Sequence, residues 1–206
     1  MEGSNHGKQI VSSPSNTRGI VQHTHLTGAP VQSTAGVVDP ILGVEMASTG
    51  EIATFGFDVK ETYIKALIAS GFKLPKKNIL VSIGDDAEKY EMLNSIKNLK
   101  EMDFNIYCTG GTHNFLLEKG IENCKLDINT IVKYIEDGNI DLLINIPNNV
   151  FCSNNNTNGF IMRRKCIDFG ISILTNVKCA KLFVSSLKRY RSGVISYKSW
   201  DEYIQY

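Results

Sequence analysis

Cysteine is scarce and unpatterned in this sequence: Cys108, Cys124, Cys152, Cys166 and Cys179 share no C-x-x-C spacing. An odd number at irregular intervals is no disulfide framework and suits a reducing compartment. No Cys/His cluster has zinc-ligand spacing, so no metal site is expected. Long apolar runs are missing too; nothing approaches the roughly 20 residues a membrane helix needs. The opening MEGSNHGKQIVSSP lacks the apolar heart of a secretory signal. The cytosol is the expected location, with Lys8, Arg18 and the Ser/Asn content leaving a mitochondrial presequence as the alternative. Charge of one sign is also lacking: 22 Lys+Arg against 21 Asp+Glu give +1, so no bulk field points to nucleic acid or a membrane surface. No G-x-G-x-x-G fingerprint, P-loop or G-x-S-x-G elbow occurs, which removes dinucleotide, NTPase and α/β-hydrolase readings. No cofactor is expected.

Residues 1–37 are rich in Ser, Thr, Asn, Gly and Gln and poor in large apolar side chains. Such a stretch cannot offset its ordering entropy by burial and is read as a disordered tail. His6, His23 and His25 within it are read as tail residues rather than metal ligands. From Val37 the texture changes, and KETYIKALIASGF has helical spacing, with Gly71 and Pro75 ending it. Thereafter strands and helices alternate. KNILVSIG, FNIYCT, IENCKLD, IDLLINIP and ISILT read as strands; EKYEMLNSIKNLKEM, THNFLLEKG, INTIVKYIEDG, FIMRRKCIDFG and VKCAKLFVSSLKRYR read as helices. This rhythm predicts an α/β fold, a parallel sheet with helices on both faces.

In open parallel sheets ligands bind beyond the carboxyl ends of the strands, where strand order switches. That rule selects Ser82, Gly84 to Asp86 and Lys89, then Thr109 to Thr112, then Asn145, Pro147, Asn148 and Asn149, and lastly Thr175 and Asn176. The sharpest signal is Thr109-Gly110-Gly111-Thr112, a strand running into a helix. Its glycines let the backbone turn and expose N–H groups, and the helix start favours an anion. The rival reading is that Thr109 or Gly110 merely caps the helix. Lys89 follows the first sheet strand closely enough to reach an anion, or else is a solvated lysine. Asn145 and Asn148 could donate and accept, or serve the turn at Pro147. Arg163, Arg164 and Lys165 form a basic run, usually a solvated helix face. His113 is the sole histidine after the tail and is read as a surface residue.

Residues 38–50, VDPILGVEMASTG, with Glu51 and the FGF that follows, resemble the end of the second ATP-grasp half of carbamoyl-phosphate synthase large subunits. YIKALIASGFKLPKKNILVSIG, GNIDLLINIPNN, the Arg163–Arg164 pair and DFGISILTNVKCAKLF resemble that family's regulatory, methylglyoxal-synthase-like domain. Beyond the tail at 1–37, the resemblance implies an ATP-grasp remnant at 38–56 and an effector domain at 57–206. It implies a doubly wound, Rossmann-like sheet of about five strands and a site for a small anionic effector, a nucleotide or an N-acetylglutamate-like acid. Lys89, Thr109, Gly110, Gly111 and Thr112 would hold that ligand on one side, and Asn145, Asn148 and Asn158 on the other. INIPNN and the closing YIQY look nearest the acetylglutamate branch. That branch, however, has a tryptophan after the third strand, where this chain reads CKLDINT, and an asparagine where Gly159 stands beside Asn158. The effector's identity therefore stays open.

With only the tail of one ATP-grasp domain, the chain is not expected to make carbamoyl phosphate by itself. It reads as a detached module, a fragment or a truncated paralogue, with synthase ATP-grasp domains as partners. The alternative is a methylglyoxal synthase acting on dihydroxyacetone phosphate. YCTGGTHNFL and Lys89 resemble its phosphate-holding residues, but the carboxylate that must move a proton falls on a displaced Asp127, and NNVFCSNNNTNG lacks a second aspartate. A third reading is a docking module without a ligand.

Overall fold

The computed structural model describes residues 20–24, 52–148, 157–193 and 197–204. Strand β1 (Ile20–Thr24) pairs antiparallel with β2 (Ile52–Gly56), Ile20 opposite Gly56. Strand β1 lies within residues 1–37, read as a tail; the rest of that tail lies outside the described residues. Helix α1 (Val59–Ala69) begins where the Asp58 side chain accepts from Glu61 N.

The main sheet follows. Strands β3 (Asn78–Ile83), β4 (Asn105–Cys108), β5 (Cys124–Lys125), β6 (Leu142–Ile146) and β7 (Ser172–Leu174) are joined through α2 (Asp86–Glu101), α3 (Gly110–Glu118), α4 (Ile128–Glu136) and α5 (Asn158–Asp168). Helix α6 (Val177–Arg191) and the short α7 (Trp200–Ile204), which the periodicity did not reveal, complete the chain. The strand order is β5-β4-β3-β6-β7, and every pair is parallel. This is the doubly wound α/β sheet that the alternation predicts.

Apolar residues fall on both faces of the central strands, as a sheet covered on both sides requires. Ile79, Val81 and Ile83 pack with Met92, Ile96, Leu99, Leu116, Phe183 and Val184, from α2, α3 and α6. Leu80 and Leu143 face the opposite layer, with Ile131 and Ile135 of α4 and Met162 of α5. The chain leaves β3 toward β4 on one face and leaves β6 toward β7 on the other. Their adjacent carboxyl ends are therefore the switch point, the place where open parallel sheets bind ligands.

Candidate functional site

Helix α3 starts directly from the end of β4. Thr109 stands at its N-cap with extended backbone, yet its hydroxyl makes no capping bond. Instead Thr109 Oγ1 donates to Ser82 Oγ at 3.1 Å, across to the end of β3. The first intrahelical bond comes from His113 N to Thr109 O at 2.8 Å, so the N–H groups of Gly110, Gly111 and Thr112 lie ahead of it. A Cβ placed on Gly111 would stand 3.9 Å from Lys89 Nζ, and one on Gly110 would stand 3.9 Å from Lys125 Nζ. Two ammonium groups thus flank a helix start that no side chain caps. Backbone donors, a helix dipole and two cations are the features that attract an anion.

The two lysines differ. Lys89 is 8% exposed, its stem buried, with Nζ 2.7 Å from Asp86 Oδ1. One carboxylate leaves an ammonium with further donors. Lys125 is exposed and comes from the two-residue edge strand β5, beside Cys108 of β4. Sequence reasoning missed it, because CKLD carries no motif; only strand pairing places it over Gly110.

Thr112 departs from the expected ligand role. It is 1% exposed, and its Oγ1 accepts from Ile83 N at 2.9 Å and donates to Ile83 O at 3.2 Å. Strand β4 ends at Cys108, opposite Val81, so Ile83 has no strand partner on that side. The hydroxyl of Thr112 supplies one. It ties α3 to β3 and thereby fixes where the helix start points.

Across the switch point, Asn145 is 3% exposed and in register with Ser82. Its Nδ2 donates to Ser82 O at 3.1 Å, while its Oδ1 accepts from Arg163 Nη1. Arg163 is 2% exposed, which corrects its reading as part of a solvated basic face. Its neighbours do behave as surface groups: Arg164 pairs with Asp168 at 2.9 Å and Lys165 with Glu136 at 2.5 Å. Asn148 is exposed and lies against Gly84, where a Cβ would come within 1.9 Å of its Oδ1. Glycine is required at 84 by that close approach. Asn158 is exposed at the start of α5, whose cap is Thr157 accepting from Phe160 N at 3.2 Å. Asn149 lies outside the described residues.

Asp127 caps α4. It accepts from Asn129 N and Thr130 N, each at 3.0 Å, and from Thr130 Oγ1 at 2.7 Å. The Thr130 hydroxyl and then the backbone N–H groups hold its carboxyl below the usual value. That is the wrong direction for a proton-abstracting base at neutral pH. His113 Nδ1 lies 2.8 Å from Asn123 Oδ1. Among the described residues, no group of three His, Cys, Asp or Glu side chains could hold a metal ion, and no helix is long and apolar enough to cross a membrane.

Residues 91–175 match the MGS-like domain family, and the chain carries such a domain there. Among its relatives, the Multifunctional protein URA2 of Saccharomyces cerevisiae is 43% identical over 165 residues, covering 73% of this chain and 8% of the relative. Multifunctional protein CAD of Squalus acanthias is 35% identical over 193 residues, covering 82% and 9%. The mitochondrial carbamoyl-phosphate synthase (ammonia) of Rattus norvegicus is 35% identical over 180 residues, covering 82% and 12%. The chain thus spans about a tenth of the length of these relatives. A crystal structure of methylglyoxal synthase from Elizabethkingia anophelis NUHP1 aligns with a TM-score of 0.44 at 18% identity, covering 55% of this chain and 80% of that one.

Proposed function

We propose that this domain is a regulatory module that seats a small anionic effector, a nucleotide or an N-acetylglutamate-like acid, at the β3–β6 switch point. Its natural context is carbamoyl-phosphate synthesis for pyrimidine or arginine metabolism, with ATP-grasp domains as the partners that read the bound state. The observation that carries this reading is the uncapped start of α3, flanked by Lys89 and Lys125. A ligand's negative group would sit on the N–H groups of Gly110 and Gly111, with the Thr109 hydroxyl beside it. Asn145, Asn148 and Asn158 would face its other end. A regulatory role is favoured over a lyase role because Asp127, the carboxylate nearest in sequence to the synthase motif, is committed to capping α4.

Thermal denaturation with inorganic phosphate, UTP, IMP and N-acetylglutamate tests the proposal, since a ligand that binds only the folded state raises Tm. At least one should do so, and the effect should be lost when Lys89 and Lys125 are both replaced by methionine. No response to any of the four, or formation of methylglyoxal from dihydroxyacetone phosphate, would overturn it.

A further inference from the structure

The wall of the crevice opposite the anion seat has a fixed polarity, and a buried arginine sets it. An asparagine amide can be turned end for end, presenting either its oxygen or its nitrogen, and its partners decide which. A guanidinium can only donate. Arg163 Nη1 reaches the Asn145 amide, so the group facing it must be Oδ1, and Nδ2 is left to face Ser82 O at 3.1 Å. Both assignments agree. Nδ2 carries a second hydrogen, and no acceptor claims it among the described residues. Gly159, on the first turn of α5, puts no side chain against this amide, where a Cβ would stand 3.8 Å from Asn145 Nδ2, 3.4 Å from Oδ1 and 3.0 Å from Arg163 Nη1.

We infer that Arg163 is a positioning residue that locks Asn145 as a hydrogen-bond donor toward the crevice. It thereby selects effectors whose far end offers an acceptor, an oxo or carboxylate oxygen, over those offering an amino group. This rests on the anion seat proposed above. The ligand class becomes an anion at one end and an acceptor oxygen at the other, since both walls then present donors. A ligand amino group would meet the Asn145 N–H donor to donor, leaving both unpaired in a buried place, which is costly.

The test uses inosine and adenosine 5′-monophosphates, which differ by oxo against amino at one ring position, with inorganic phosphate reporting the anion seat alone. Wild-type protein should bind the inosine nucleotide about ten-fold more tightly, one mismatched buried donor pair being worth roughly that factor. Arg163→Met removes the donor that faces Oδ1 and leaves the Ser82 carbonyl alone to hold the amide, so discrimination should fall by at least about three-fold while phosphate affinity is kept. Arg163→Lys still donates and should retain the preference. Equal affinity of the wild type for both nucleotides, with phosphate binding intact, overturns this inference and leaves the anion seat standing. Discrimination that survives in Arg163→Met, or a loss of phosphate binding in step with it, assigns Arg163 a purely structural role and also overturns it. Should Arg163→Met fail to fold, the wild-type ratio and Arg163→Lys still decide. If the wild type binds neither phosphate nor nucleotide, the proposed function fails first, and this inference with it.

Discussion

Replacing Thr112 with valine keeps the shape of the side chain and removes a hydroxyl whose two bonds go to one residue, Ile83. The bonds replace a missing strand, because β4 has ended before it can serve that N–H and C=O. Thr112 is 1% exposed, so no water takes over. An orphaned buried donor costs about 1–3 kcal/mol and an orphaned carbonyl rather less, so a total loss of about 2–3 kcal/mol is expected. In a domain of this size that is a fall in Tm of roughly 5–10 °C. Urea denaturation of Thr112→Val, Thr112→Ser and Thr109→Val measures it. Thr112→Ser keeps the hydroxyl and should lose no more than about 1 kcal/mol for the methyl group. Thr109→Val breaks one partly buried bond to Ser82 and should also lie within about 1 kcal/mol of wild type, while weakening any anion at the α3 start. If Thr112→Val were as stable as wild type yet lost its ligand, Thr112 would be a ligand residue and the structural account of it would be wrong.

Three further outcomes follow from the same geometry. Lys125→Met should weaken phosphate binding several-fold in dilute buffer and less at ~1 M salt, where the Debye length is about 3 Å; titration at two ionic strengths checks it, and a salt-independent loss would refute an exposed ion contact. Glu61 is fully buried beside Lys65, with Nζ 2.7 Å from its Oε1, so Glu61→Ala takes away the ammonium's carboxylate, leaving it Phe55 O and Tyr203 Oη, and should cost about 3 kcal/mol. The double variant with Lys65→Met should recover part of that; equal stability of single and double variants would refute the pairing. The Asp127 carboxyl is held below its ordinary 3.8 in the folded state, chiefly by the Thr130 hydroxyl. A depressed acid contributes stability that is complete above its unfolded value and fades as pH falls through the folded one, so Asp127→Asn should flatten the stability profile below about pH 4. An unchanged acid slope would show that the cap carries no linked proton.

Much of the sheet was legible because each strand writes its own burial into the sequence. NILVSI and LLINI are apolar runs of strand length closed by Gly84 and Pro147, and these became β3 and β6. Caps sharpened the helix starts beyond what periodicity gives: Asp85 moves the start of α2 to Asp86, ahead of the first apolar residue. The three elements that were not anticipated, β1, β2 and α7, are five residues each. Pieces that short hold too few residues for a period to show, and pairing with β2 makes a strand of a segment whose composition reads as tail.

Legibility of the crevice divides by the range of the contact. Thr109 to Thr112 could be read because a strand end, two glycines and a helix start lie within four consecutive residues, so the local chain alone builds the donors. Lys125 and Arg163 could not, since each is recruited by an element distant in sequence. Lys125 reaches Gly110 because β5 lies beside β4, and Arg163 reaches Asn145 because α5 packs over the end of β6. A basic run such as Arg163-Arg164-Lys165 spreads over more than half a helical turn, at about 100° per residue, so its members cannot share one environment. Arg163 turns inward to a buried amide, whereas Arg164 and Lys165 meet surface carboxylates. Reading all three as solvated treated a helical stretch as though it had one face. The buried polar partner is what singles out the inward member. In this chain that partner is Asn145, a polar residue inside an apolar strand whose amide must be satisfied once it is buried.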